Sequence, residues 1–99
     1  MTILSGGEIL KEIEAGVIQI DPFDPSRVGT ASVDLTVAST FRRHVGNVPV
    51  ALTGETDYRD PSITSLVEVG EEGYLEVAPH EMVLGITQER VGLPEDMCG

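Results

Sequence analysis

The groups that could do chemistry in these 99 residues are few and scattered. There are two histidines, His44 and His80, and one cysteine, Cys98. Zinc-activated water chemistry of the H-x-E and P-C-x-x-C kind needs metal and base to converge on one oxygen. His80-Glu81 lacks that spacing and Cys98 has no second cysteine, so this chemistry is excluded. A cupin-type metal site wants two or three imidazoles. His44 and His80 lie far apart, neither beside a second histidine, and both are expected to be structural or solvent-exposed. Serines and acids are present, but no G-x-S-x-G elbow holds a nucleophile. No G-x-x-x-x-G-K-[ST] loop exists, and Lys11 is the only lysine. Ser5-Gly6-Gly7 could present amides to an anion at a helix start. Glu8 would oppose that anion, which leaves a helix cap as the better use. No catalytic, substrate-binding or metal-ligating residue is therefore assigned within this chain.

The elements that would have to position a site are easier to read. Ser5-Gly6-Gly7-Glu8 has the S-x-x-E form of a capping box, with Leu4 and Ile9 at the staple positions. Ile9, Leu10 and Ile13 follow at helical spacing, and Gly16 suits a helix end. A short helix is predicted over about residues 5–15, with a packing role. Val17 to Ile20 is a short β-type run, ended by Asp21-Pro22-Phe23-Asp24-Pro25. Two prolines three apart make that stretch a rigid loop, with Phe23 expected to plug the core edge rather than bind a ligand.

Ala31 to Val37 alternates, with Val33, Leu35 and Val37 on one face, and is predicted as a half-buried strand. Phe41 to Val45 continues pairing after a break at Ser39. Gly46-Asn47 is a turn into residues 48–52, an edge strand because of Pro49. Residues 53–62 form the longest loop. Strands are predicted over Ser65 to Val69, Tyr74 to Ala78 and Met82 to Thr87, with turns at Glu71-Glu72-Gly73 and Pro79-His80-Glu81. The last strand is apolar on both faces, which predicts a central or interface position. Gly85 would permit a close backbone approach or a bulge. Val91 to Asp96 reads as an exit loop. One helix followed by several short strands predicts a mainly β sandwich or barrel.

Bulk composition narrows the partners. Seventeen acids against six bases give a formal net charge of −11, which repels nucleic acid phosphates and anionic membranes. No apolar run approaches the ~20 residues of a membrane helix. A lone thiol without a signal peptide fits a cytoplasmic setting. Ninety-nine residues make one domain at most. With 40% hydrophobic and only 4% aromatic residues, its core must be mostly aliphatic.

Three segments taken together resemble one family. The first is Ile3-Leu4-Ser5 with Ile9-Leu10, then Gly16-Val17-Ile18-Gln19-Ile20-Asp21-Pro22-Phe23. The second runs from Val28-Gly29-Thr30-Ala31-Ser32 through Val33-Asp34-Leu35-Thr36-Val37 to Phe41. The third is Pro79-His80-Glu81-Met82-Val83-Leu84-Gly85 with Thr87, Glu89-Arg90-Val91 and Leu93-Pro94. Their order and spacing are similar to the N-terminal half of dCTP deaminases. One departure stands out: Val37-Ala38 occupies the place of the family's common Leu-Gly, which puts the turn there in doubt.

The resemblance implies residues 1–99 as the N-terminal portion of a single dUTPase-like β-barrel or jelly-roll-type domain, incomplete in this chain, with a short N-terminal helix. It implies a cytoplasmic homotrimer that hydrolyses the 4-amino group of dCTP to give dUTP in pyrimidine deoxynucleotide metabolism. That reaction proceeds without zinc, and magnesium accompanies the triphosphate. A non-catalytic assembly module, a dUTPase, or a bifunctional deaminase-diphosphatase are the alternatives. The family's Arg-Ser-Ser segment would begin a few residues after Gly99, and its catalytic Glu would lie further on. The isolated chain is therefore expected to be inactive. Asp34 matches a family motif position and is expected to be structural, its carboxylate bonding nearby backbone or hydroxyl groups.

Overall fold

The computed structural model describes residues 2–46 and 49–99. They fall into two compact units, Met1–Thr36 with Thr87–Gly99, and Val37–Ile86. The architecture is mainly β with one short helix and antiparallel pairing, in agreement with part of a dUTPase-like fold.

In the first unit, helix α1 spans Gly6–Glu14. Ser5 is its N-cap, and its Oγ accepts the Glu8 amide at 3.3 Å. The Glu8 carboxylate meets Lys11 Nζ at 3.4 Å instead of turning back to the cap. At the other end the Gly16 amide donates to Ile13 O and the Val17 amide to Glu12 O, at 3.1 and 2.9 Å. With Gly16 at φ +77°, this is a Schellman closure that only glycine adopts without strain. Gly6 carries a different demand. Its amide donates to Thr30 O at 2.6 Å, and a Cβ on it would lie 2.2 Å from Gly29 O. The loop after residue 27 thus rests directly on the start of the helix.

Strand β1, Gln19–Asp21, pairs antiparallel with β5, Arg90–Gly92, which places Ile20 opposite Val91. The expected exit loop therefore opens as a strand. Its partner lies some seventy positions earlier, beyond the reach of any local periodicity. Asp24 then caps a single 3-10 turn over Pro25–Arg27 by accepting Ser26 N at 3.0 Å and Ser26 Oγ at 2.8 Å.

The strand predicted over residues 31–37 does not form. Val28 and Val33 make one isolated bridge around a tight reversal, with the Gly29 amide donating to Ser32 O at 2.7 Å. The Asp34 amide then donates to Arg27 O, and the Thr36 amide is taken by the Glu89 side chain rather than by a neighbouring strand. Val33 is half-buried while Leu35 and Val37 are exposed, so the alternation does not sort them onto one covered face.

The second unit is built on a three-stranded sheet in the order β3-β2-β4. Strand β2, Val37–His44, runs unbroken through Ser39. Strand β3, Thr64–Glu68, pairs antiparallel with it, from Thr40 opposite Glu68 to His44 opposite Thr64. The pairing continues outward through Val45 N to Ile63 O and Val69 N to Ser39 O, both 2.8 Å. Strand β4 is Val83–Thr87. It ends the sheet among the described residues, so β2 is the central strand, and of the central or interface position expected for the last strand the central one does not hold. Gly85 does serve a close approach, to a ring rather than to backbone: a Cβ there would lie 3.0 Å from Phe41 Cε1.

Residues 74–78 carry no strand. In place of a ladder partner, the Glu76 carbonyl accepts Arg43 Nη2 at 2.6 Å. The turn at Pro79-His80-Glu81 is present, with Glu81 N donating to Ala78 O and His80 held at φ +65°. The turn residue Asn47 and the first residue of the expected edge strand, Val48, lie outside the described residues. Residues 49–52 carry no regular structure.

Among the described residues only Ile9 and Ile18 are buried hydrophobics, and both belong to the first unit. No helix among them is long and apolar enough to cross a membrane.

Candidate functional site

Two hollows bear on function, one in each unit. The hollow of the first unit is lined by Ile20, Pro22, Phe23, Arg27, Asp34 and Glu89, with Asp24, Val33 and Leu35 completing it. Its accessible volume is about 10 Å³, room for a single water. Phe23, half-buried, lines this space from the proline-rich loop.

Glu89 is the polar centre of this region and is 8% exposed. Both of its carboxylate oxygens accept the Thr36 amide at 2.9 Å, and its carbonyl accepts Thr87 Oγ1 at 2.8 Å. The Thr36 amide holds the Glu89 carboxyl below its ordinary range, against the raising effect of burial, and the Arg27 charge acts in the same direction. Such a group is an ionised anchor. A general acid or base works best with its pKa near the operating pH. Asp34 lies beside it in a loop instead of a strand. Its amide donates to Arg27 O at 2.9 Å.

The second unit carries a wide cleft of about 530 Å³ lined by Arg43, Glu76, Val77, Ala78 and Glu81. The size would admit a nucleotide. Arg43 projects from β2 and binds Glu81 Oε1 through Nη1 and the Glu76 carbonyl through Nη2. Its charge and two of its donors are thereby engaged. The cleft offers neither an aromatic face for a base nor a free cation for a phosphate among its lining residues. His80 and Glu81 are adjacent in the turn before β4, while His44 ends β2, and both histidines are exposed. No group of three or more His, Cys, Asp or Glu among the described residues could hold a metal ion. Cys98 is exposed.

A polar cluster in the long loop escaped sequence reasoning. The Tyr58 ring has the Arg42 and Arg59 guanidinium carbons 5.7 and 5.9 Å from its centroid. Asp57 pairs with Arg59, Oδ2 to Nη2 at 2.9 Å, and this bond above all lowers the Asp57 carboxyl to about 2. Thr64, which is buried, donates to the Tyr58 carbonyl and accepts Arg42 Nη1 at 3.3 Å. The tripeptide Asp57-Tyr58-Arg59 was the only local signal, and it lies within a stretch otherwise typical of a loop. Arg42 enters by register on β2, which no local pattern announces. The cluster fixes the loop to the sheet, with Asp57 paired to Arg59 and Arg42 held by the Tyr58 ring and the Thr64 hydroxyl.

Comparison with known proteins supplies what neither hollow does. The sequence profile of a family described as dCTP deaminase-like matches residues 3–99. A protein of Mycolicibacterium vanbaalenii is 40% identical over 97 residues, covering 98% of this chain and 50% of that protein. One from Rhodococcus opacus is 39% identical over 97 residues, with the same coverage, and one from Kocuria rhizophila is 33% identical over 96 residues, covering 97% and 49%. All three are named dCTP deaminase, dUMP-forming. The chain spans about half the length of the curated relatives it matches.

Proposed function

This chain belongs to the dCTP deaminase-like family, and from that premise we propose that it is the N-terminal portion of an enzyme that hydrolytically deaminates dCTP. Water adds at C4 of the cytosine, the C4–N4 bond breaks, and ammonia leaves, giving dUTP. The observation that carries this reading is the family match over residues 3–99. A second reading has specific support in the relatives' names, which say dUMP-forming. In that version a second water cleaves the α–β phosphoanhydride of dUTP, releasing dUMP and pyrophosphate.

In either version these residues serve as scaffold, and the reacting groups come from the half of the family's length that these 99 residues do not match. The two hollows support this division. The narrow one has room for a single water, and the wide one has its cation neutralised by Glu81. Among the described residues no group of three or more His, Cys, Asp or Glu fits a protein-held metal. Magnesium is assigned to the triphosphate it would arrive with, and no step is routed through it. A homotrimer working in the cytoplasm on pyrimidine deoxynucleotides completes the reading.

The test is product analysis. The mass-verified 99-residue chain should release no ammonia from dCTP. The same residues joined to the second half of the Mycolicibacterium vanbaalenii relative should release it, with pyrophosphate in equal amount if the dUMP-forming version holds. Ammonia release by the 99 residues alone would overturn the scaffold assignment. A folded chimera inert towards dCTP would overturn the deaminase reading.

A further inference from the structure

The loop around Tyr58 carries the recognition chemistry that both hollows lack. Tyr58 is 56% exposed although the Arg42 and Arg59 guanidinium carbons border its ring at 5.7 and 5.9 Å from the centroid. Backbone contacts hold the ring in place. The buried Thr64 hydroxyl donates to the Tyr58 carbonyl, and the Asp57 carboxylate accepts the Arg59 amide at 2.9 Å. Of the three arginines in residues 37–86, Arg43 is taken by Glu81 and the Glu76 carbonyl, and Arg59 is shared with Asp57. Arg42 has no carboxylate within salt-bridge distance among the described residues, and only its Nη1 is engaged, by the Thr64 hydroxyl at 3.3 Å. Tyr74 supplies the contrast. It is 60% exposed, yet no cation borders its ring among the described residues, and its charged neighbours in sequence are Glu71, Glu72 and Glu76.

We propose that Tyr58, Arg42 and Arg59 form a binding site for a nucleoside monophosphate, built entirely within the second unit. An exposed aromatic ring accepts a nucleobase by stacking, whatever the base, because every base has a π-face. A guanidinium not committed to a carboxylate offers paired donors to phosphate oxygens. The charges select the ligand. One uncommitted arginine and one shared with Asp57 match a single phosphate. A triphosphate brings more negative charge than the cluster can meet, on a chain whose net charge of −11 already repels anions. A staple between loop and sheet accounts for the Thr64 contacts, but not for an open ring beside an uncommitted guanidinium. The site goes beyond the deaminase reading and does not depend on it.

The test titrates the 99-residue chain with dCMP and follows the ring resonances of its two tyrosines by NMR. Tyr58 should shift with a dissociation constant of about 1 mM, the order set by one stack and one charge-assisted contact, while Tyr74 stays unmoved. Tyr58→Leu and Arg42→Met, read at the Thr64 amide, should each weaken binding about tenfold. Asp57→Asn keeps an oxygen for the Arg59 amide and removes the competing charge, so it should tighten binding about threefold. Deoxycytidine and inorganic phosphate, the two halves of the probe, should each bind at least about tenfold more weakly than dCMP. The proposal is overturned by an unmoved Tyr58 at about 10 mM dCMP, or by equal shifts at Tyr58 and Tyr74. It is equally overturned if either half of the probe matches dCMP, or if Asp57→Asn binds no tighter than the parent chain. Ammonia release plays no part in this readout, so the deaminase reading stands or falls separately.

Discussion

The two units solve the problem of a small chain in different ways. The first, residues 2–36 with 87–99, closes nearly every local end: Ser5 and Gly16 finish α1, Asp24 caps the 3-10 turn, and Glu89 takes the Thr36 amide. Its aliphatic core is minimal, Ile9 and Ile18, but that core is covered. The second, residues 37–86, has more regular hydrogen bonding in its sheet, yet Thr64 is its one buried residue among those described. Regular backbone pairing is therefore no measure of completeness. The first unit is finished by side chains meeting backbone, and the second displays a ladder whose apolar faces remain open.

This contrast can be broken by substitution. The largest effect is expected at Ile18. Ile18→Ala should destabilise the chain by roughly 2–4 kcal/mol in urea unfolding, the scale of a buried aliphatic truncation. The same truncation at Ile86, 64% exposed, should change it by less than about 0.5 kcal/mol. Equal effects at both sites would erase the distinction. Next comes Gly6→Ala, whose Cβ would collide with the Gly29 carbonyl oxygen. Overpacking of that kind costs roughly 1–3 kcal/mol, and lost protection of the Thr30 region in hydrogen exchange would locate the damage.

Glu89→Gln sharpens the comparison through pH. The native carboxyl is held below its unfolded value, so its contribution is present above the unfolded pKa and lost as pH falls through the folded one. The variant should be less stable near neutrality and should lose less stability on acidification. An unchanged acid limb would remove Glu89 from its anchoring role. The smallest effect is expected for Ser5→Ala, at about 0.5–1 kcal/mol. Its capping bond is long, at 3.3 Å, which favours the lower end of that range in thermal unfolding.

What could be read in advance follows the distance over which each feature is determined. Both caps of α1, the turn at residues 79–81 and strand β3 are set by residues within a few positions, and the sequence displays them. Residues 31–37 misled because alternation is equally compatible with a loop whose amides are claimed from afar. Thr36 is tied by Glu89, 53 positions on, and nothing local announces that acceptor. Strand β5 was missed for the same reason. Strand β4 was read as central or interfacial because its composition suits either place, and the described residues leave it at an edge, which removes only the central one. As for function, no single motif carried it, and the family was legible only in the order and spacing of three segments taken together. The Tyr58 cluster stayed hidden because half of it arrives by sheet register.

The Thr36–Glu89 tie also sets a timetable. The Gln88 amide joins it by donating to Thr36 O at 2.8 Å, so the first unit is sealed only when its two chain segments meet. Residues 37–86 are an excursion between those segments. Closing a flexible loop of that length carries an entropic cost of roughly 3.5 kcal/mol. On a ribosome, helix α1 emerges early, and Thr36 must wait about fifty further residues for the Glu89 carboxylate that completes the unit, while the sheet pairs in the meantime. The unit whose helix is made early is thus sealed only after residues 37–86 have been made.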